Sequence, residues 1–189
     1  MKKGFTVLAG LALIAGIYSF APGIEKKEAT SLTVNVTKSR IDWVAAKKND
    51  FHTGYFPIKS GTVTVDNGKI TGGKFVIDLA NLKVTDAAGD GLTGHLKRAD
   101  FFDVEKFNEA VYEINSVNYT SDAVADINGN LTVKGVSVPL KIQAQVRGVG
   151  DQGLFAQSFV NLDRTLIGIN YGAGMVAKDV QLAIHLFAK

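Results

Sequence analysis

The chain has no cysteine, which excludes disulfides, thiolate catalysis, cysteine-ligated zinc and lipid attachment to an N-terminal cysteine. Its stability must come from packing. Proline is scarce, 3 residues against 20 glycines, and Val, Ile, Thr and Phe recur in short alternating runs, a composition that favours strands and tight turns over helices. Tryptophan occurs once, and histidine only at His52, His95 and His185. These histidines are dispersed, with no HExxH spacing, and no nucleophile elbow, Walker loop or G-x-G-x-x-G dinucleotide pattern is expected. No metal is expected. The 189 residues, 46% of them hydrophobic, suit one domain with a sizeable core.

The N-terminus reads as an export signal. Met1 to Lys3 are basic, Phe5 to Phe20 carry no charge, and Ser19-Phe20-Ala21 places small residues where a signal peptidase cuts. A signal peptide over 1–21 and a periplasmic or secreted location are expected. An uncleaved anchor is the alternative, although the stretch falls short of the ~20 residues of a membrane helix. Cleavage removes two of the 21 basic residues and none of the 18 acidic ones, so the formal charge falls from +3 to +1. No nucleic-acid footprint is left.

Residues 22–30 form a charged lead-in, and 31–189 a single β domain. Apolar residues alternate with period two at Leu32, Val34 and Val36, at Ile41, Trp43 and Ala45, and at Val63 and Val65. Asp66-Asn67-Gly68-Lys69 is a two-residue hairpin turn leading into Phe75, Ile77 and Leu79. Asn81 to Phe107 lacks the alternation and is expected to hold a short helix or two within a long connection. Phe101 and Phe102, if helical, must face different ways, one plugging the barrel. Strands resume at Tyr112 and Ile114. The later runs put Leu140 and Ile142 opposite Lys141 and Gln143, and Leu182 and Ile184 opposite Gln181, with Phe187 breaking the polar face. Asn128-Gly129 is read as a glycine bulge within one strand, with the turn at Lys134-Gly135. About eight strands and one helical insertion close an up-and-down antiparallel barrel; an open sandwich is the alternative.

Several blocks resemble the YceI family in that family's order. Gly54-Tyr55-Phe56 follows the strand with Trp43. His95-Leu96-Lys97-Arg98-Ala99-Asp100-Phe101-Phe102-Asp103 is similar to the family's HL-x-S-x-DFFD signature, with Arg98 and Ala99 departing from it. Gly129 to Val136 and the run Asp163-Arg164-Thr165 with Gly168-Ile169 resemble two further family segments. The resemblance spans the mature chain and implies a lipocalin-like barrel that binds polyisoprenoids or other amphiphiles in a bacterial envelope.

The expected ligand is therefore a long apolar lipid: a polyisoprenoid, an isoprenoid quinone or an acyl chain, drawn from a membrane and bound without catalysis. No other cofactor is expected, and homodimerisation stays open. The expected binding wall takes Trp43 and Phe56, then Phe75, Ile77 and Leu79, then Tyr112, Ile114, Leu131, Leu140 and Ile142. Phe159, Ile169, Leu182 and Ile184 complete the strands, and Leu96, Phe101 and Phe102 come from the insertion. His95 and Arg164 are the candidate headgroup contacts. For Arg164 the favoured reading is an ion pair with nearby carboxylates such as Asp100 or Asp103. Two other classes remain: a lipid-acting enzyme using His95 or His52 with an Asp, and a structural barrel with a filled core.

Overall fold

A computed structural model describes residues 29–150 and 153–189. The expected signal peptide and most of the lead-in lie outside the described residues. The chain forms β1 (Thr30–Thr33), β2 (Arg40–Lys47), β3 (Asp50–Asp66), β4 (Lys69–Asp78), the short β5 (Lys83–Val84) and the helix α1 (Gly89–Leu96). It continues with β6 (Glu109–Ser121), β7 (Val124–Val133), β8 (Val136–Gly150), β9 (Gly153–Asp163) and β10 (Val176–Ala188). All pairings are antiparallel, and the order β3-β2-β10-β9-β8-β7-β6-β4 returns to β3, closing an eight-stranded barrel. Closure removes the exposed edges that an open sandwich would leave.

β3 is long enough to carry two partners on each side. β2 pairs with its first half and β1 with its second, while β5 and then β4 pair along its other edge. β1 also seals the seam to β10, because Thr33 and Lys189 exchange backbone hydrogen bonds and Val34 bridges Ala188. The alternation expected to run on to Val36 stops there. Asn35 Oδ1 accepts hydrogen bonds from the backbone N–H groups of Thr37 and Lys38, turning the chain and leaving Val36 exposed.

Two hairpins sit where Asn-Gly and Lys-Gly place them. Asn67 and Gly68 have φ of 49° and 75°, and Lys134 and Gly135 have 52° and 77°, the left-handed pairs that a type I′ turn requires. β7 runs unbroken through Asn128-Gly129, but the bulge lies on its partner: Ile114 pairs with Gly129 and Ser116 with Asn128, leaving Asn115 as the extra residue. Gly129 instead makes room for a ring. A β-carbon there would stand 2.5 Å from Tyr112 Cζ.

The turns between β3 and β4 and between β6 and β7 mark the lower end of the barrel. The insertion between β4 and β6 and the loop 164–175 mark the upper end. The lower end is solid: Val63 and Ala125 are wholly buried, Val65, Ile70, Val146 and Leu154 nearly so, and Tyr119 OH accepts a hydrogen bond from the Ile70 N–H. On the outer wall, Phe187 is covered by Phe155, the rings stacked 4.6 Å apart, which explains an aromatic on an otherwise polar face.

Candidate functional site

Above this floor the barrel holds a lumen of about 210 Å³. On β10 the wall runs from Leu186 up to Val176, which at ~3.3 Å per residue and ~40° tilt is roughly 25 Å of barrel height. Strand alternation puts Trp43 of β2, Phe56 of β3, Phe75 and Ile77 of β4 and Tyr112 and Ile114 of β6 on it. Leu131 of β7, Leu140 and Ile142 of β8, and Leu182 and Ile184 of β10 complete the ring. Leu79, Leu96, Phe101, Phe102 and Ile169 join them from the upper end, so the lumen gathers every side chain expected on the wall except Phe159.

Phe159 points outward and is 72% exposed. It pairs with Ala183, one step out of phase with Ser158 and Ile184, and a one-residue shift moves a side chain to the other face. Phe101 and Phe102 both line the lumen, against the expectation that they diverge. They follow α1 in tight turns, where the helical 100° spacing no longer applies. Ala45, Ala110, Ala144, Ala156 and Ser158 line the wall and leave the space. Ala45 and Ala144 follow the alternation of Trp43 and Ile142, whereas Ala110, Ala156 and Ser158 were not foreseen; their signal was their even spacing with larger inward neighbours.

The roof is built by the insertion. Phe102 meets Phe56 edge-on at 5.5 Å, and Lys134 Nζ donates to the carbonyls of Ala99 and Phe101 at 3.1 and 2.6 Å. His95 is outside the lining. Its Nε2 lies 2.8 Å from Asp100 Oδ2, and its ring sits edge-on to Phe101 and Tyr171 at 5.0 and 4.8 Å, joining the insertion to loop 164–175. The hydrogen bond from His95 holds the Asp100 carboxyl below its ordinary range. His52 lies 3.2 Å from Asp86, whose carboxylate accepts the N–H groups of Thr53 and Ala88 at 2.7 and 2.8 Å. Those backbone donors hold the Asp86 carboxyl below its usual range. Both histidines therefore fasten the insertion rather than face the lumen.

Against the expectation of no such pattern, Gly89-Asp90-Gly91-Leu92-Thr93-Gly94 spells a G-x-G-x-x-G run. It lies on α1 after an antiparallel two-residue strand, not in a βαβ unit, so the dinucleotide-binding context is missing. Thr93 of this run is buried and donates to the Gly89 carbonyl while accepting the Val84 N–H. Among the described residues there is no cluster of three or more His, Asp or Glu side chains able to hold a metal ion.

Polar groups in the wall are mostly committed to the protein. Ser158 donates to the Gln143 carbonyl at 2.6 Å, and Tyr112 to the Leu140 carbonyl at 3.0 Å. Burial pushes the Tyr112 phenol up to about 12, so it stays neutral. Arg164, 6% exposed, lines the lumen without the expected carboxylate partner. Its guanidinium donates to the carbonyls of Ala177, Ile169 and Val176 at 2.9, 2.8 and 3.0 Å. Asp100 is taken by His95 and Asp103 by Lys106. The planar fork thus pins loop 164–175 across the mouth through backbone oxygens.

The sequence profile of the YceI-like domain matches residues 29–188. This chain belongs to the YceI-like family. A UPF0312 protein of Pseudomonas putida is 32% identical over 98% of this chain and 96% of its own length. Another, from Shewanella baltica, is 31% identical over 79% of this chain and 75% of its own. Among solved structures, Burkholderia cenocepacia BcnA superposes with a TM-score of 0.72 at 21% identity, covering 82% of this chain and 99% of BcnA. A polyisoprenoid-binding domain from Saccharophagus degradans superposes with 0.65 at 15% identity, over 86% and 99%. At these identities the superpositions establish the shared barrel fold.

Proposed function

We propose that this YceI-like protein is exported and holds one long apolar chain, a polyisoprenoid, isoprenoid quinone or acyl chain, in its lumen without reacting with it. The observation that carries the reading is a tall lumen with an apolar wall whose hydroxyls and guanidinium are occupied by backbone carbonyls. Such a wall rewards hydrocarbon and offers little to a polar substrate. The polyisoprenoid binding named for the Saccharophagus degradans domain, on the same barrel, supports it.

A membrane is the source this reading requires. Moving a chain of ~40 carbons out of water at ~0.8 kcal/mol per methylene is worth roughly 30 kcal/mol, beyond the ~18–21 kcal/mol ceiling of non-covalent complexes. The competitor is a bilayer in which the tail is already buried, so net transfer is near neutral and set by lumen shape and chain freedom. Loop 164–175 suits such an encounter: between Thr165 and Ala177 it has no charged residue, and Leu166, Tyr171 and Met175 are exposed on it.

The test uses protein refolded from denaturant and mixed with vesicles containing a polyisoprenoid alcohol. Stoichiometric uptake is expected, with ready return to fresh vesicles. Refolded barrels that take up nothing would leave the structural, filled-core reading. Export is checked by N-terminal sequencing of periplasmic material, which should begin near Pro22; an intact Lys2 would contradict cleavage.

A further inference from the structure

Closure of the barrel between β8 and β9 is carried by the lower half of that seam alone. The ladder climbs from Gly150 with Gly153 to Ala144 with Ser158 and stops. Above it, β8 from Gln143 back to Val136 is paired only with β7, and β9 from Phe159 to Asp163 only with β10. The flanking seams stay closed to the top, where Val133 pairs with Val136 and Asp163 with Asp179. The upper β3–β4 seam is filled by the insertion, through β5 and through the Leu79 and Ala80 N–H groups on the Asn108 carbonyl.

The residues at the break account for it. Val146 donates its N–H to the Ala123 carbonyl, on the β7 side, and peptide groups alternate sides along a strand, so the odd-numbered residues of β8 turn theirs to β9. A continuing ladder would offer the Gln143 carbonyl to the Phe159 N–H. That carbonyl instead accepts the Ser158 hydroxyl at 2.6 Å, and Pro139, further up the same edge, has no N–H to give. The facing peptide groups above the break are left to water. The slit is continuous with the lumen, because Leu140 and Ile142 on one lip and Leu162 on the other line both. The axial mouth, by contrast, is shut. Phe101, Ile167 and Ile169 are buried there, and lifting loop 164–175 would strip the buried Arg164 of its three carbonyl partners. Parting any other upper seam breaks ladder hydrogen bonds; parting β8 from β9 above Ala144 breaks none.

We propose that the upper β8–β9 slit is a lateral portal through which the chain lipid slides into and out of the lumen. The proposal rests on the lipid-binding reading and adds the route. The β9 lip runs directly into loop 164–175, the segment that meets the bilayer in that reading, so a tail can pass from membrane to lumen without crossing water.

Because the chain has no cysteine, one introduced pair can be stapled alone. Lys141 and Asn161 are exposed and stand opposite each other when the register of Ala144 with Ser158 is carried upward. Full-length protein with Lys141→Cys and Asn161→Cys is emptied by refolding and joined by a bis-maleimide with a reducible centre. It is then mixed with phosphatidylcholine vesicles containing a polyisoprenoid alcohol. The control joins Asn161→Cys to Gln181→Cys, opposite each other in the intact β9–β10 ladder. The slit staple is expected to slow loading about tenfold or more, as a locked gate does, and reductant to restore it, while the control loads at the unstapled rate. Stapled after loading, the slit variant should keep its lipid in the presence of fresh vesicles. Unchanged loading through a stapled slit would mean that the lipid enters elsewhere, the free strand edges serving a partner strand instead, and the portal is wrong while lipid binding stands. Equal slowing by both staples would assign the effect to general stiffening of the barrel and is likewise against the portal. If the unstapled protein takes up no lipid, the lipid-binding reading fails and the portal with it.

Discussion

Below Tyr112 the barrel is filled by Val63, Val65, Ile70, Ala125 and Val146, whereas the inward positions around the open lumen include Ala45 and Ala110 higher up, and Ala144, Ala156 and Ser158 directly beside the floor. The strands and their alternation are the same at both levels. What differs is side-chain volume against a constant barrel radius, so the floor reaches close packing while the upper lumen cannot. A chain with only the floor's chemistry would be a structural barrel. The upper level leaves the open lumen on which the lipid-binding proposal rests, and Arg164 and the His95–Asp100 pair tie the roof together.

The largest effect separating the two levels is expected at the floor. Val63→Asp puts an unpaired charge at a wholly buried position and should cost several kcal/mol in denaturant titration, on the order of other buried charges. A modest loss would mean that the floor is wetter than its packing implies. A gentler contrast uses the same added bulk twice. Val63→Phe should destabilise by about 1–3 kcal/mol through overpacking, while Leu182→Phe, on the lumen wall, should cost less than about 1 kcal/mol. Leu182→Phe should instead lower lipid uptake from vesicles. Equal stability losses would erase the distinction between floor and lumen.

Acid should act on the roof before the floor. The Asp86 carboxyl is depressed below its ordinary 3.8 by backbone donors of Thr53 and Ala88, so its contribution is complete above that value and lost as pH falls below it, towards the folded-state pKa. Hydrogen exchange over Lys83 to Val104 is expected to be flat above about pH 5 and to quicken below about pH 4 relative to β6–β8, after correction for intrinsic rates. The smallest effect belongs to Phe159→Ser. The side chain is outside the lumen, so stability should stay within about 0.5 kcal/mol and lipid uptake should be unchanged.

Strand alternation made most of the wall legible, because a period of two assigns a face once a single inward residue is known, as for Leu140 and Ile142 against Lys141 and Gln143. Phe159 escaped because β9 carries apolar residues on both faces: Phe155 has a covering partner in Phe187, whereas Phe159 is left exposed, and residue type alone cannot tell the faces apart. Arg164 was misjudged for a different reason. A buried arginine points to carboxylates by charge, but here backbone carbonyls of a folded-back loop satisfy it, and loop conformation has no periodic signal.

Native mass spectrometry of protein purified without detergent measures the central claim most directly. A resident chain lipid predicts a population heavier than the polypeptide by one discrete mass, released by organic extraction and absent after refolding from denaturant. The bare polypeptide mass alone, from material never exposed to detergent or denaturant, would contradict the lipid-binding proposal and leave a barrel with an empty upper level.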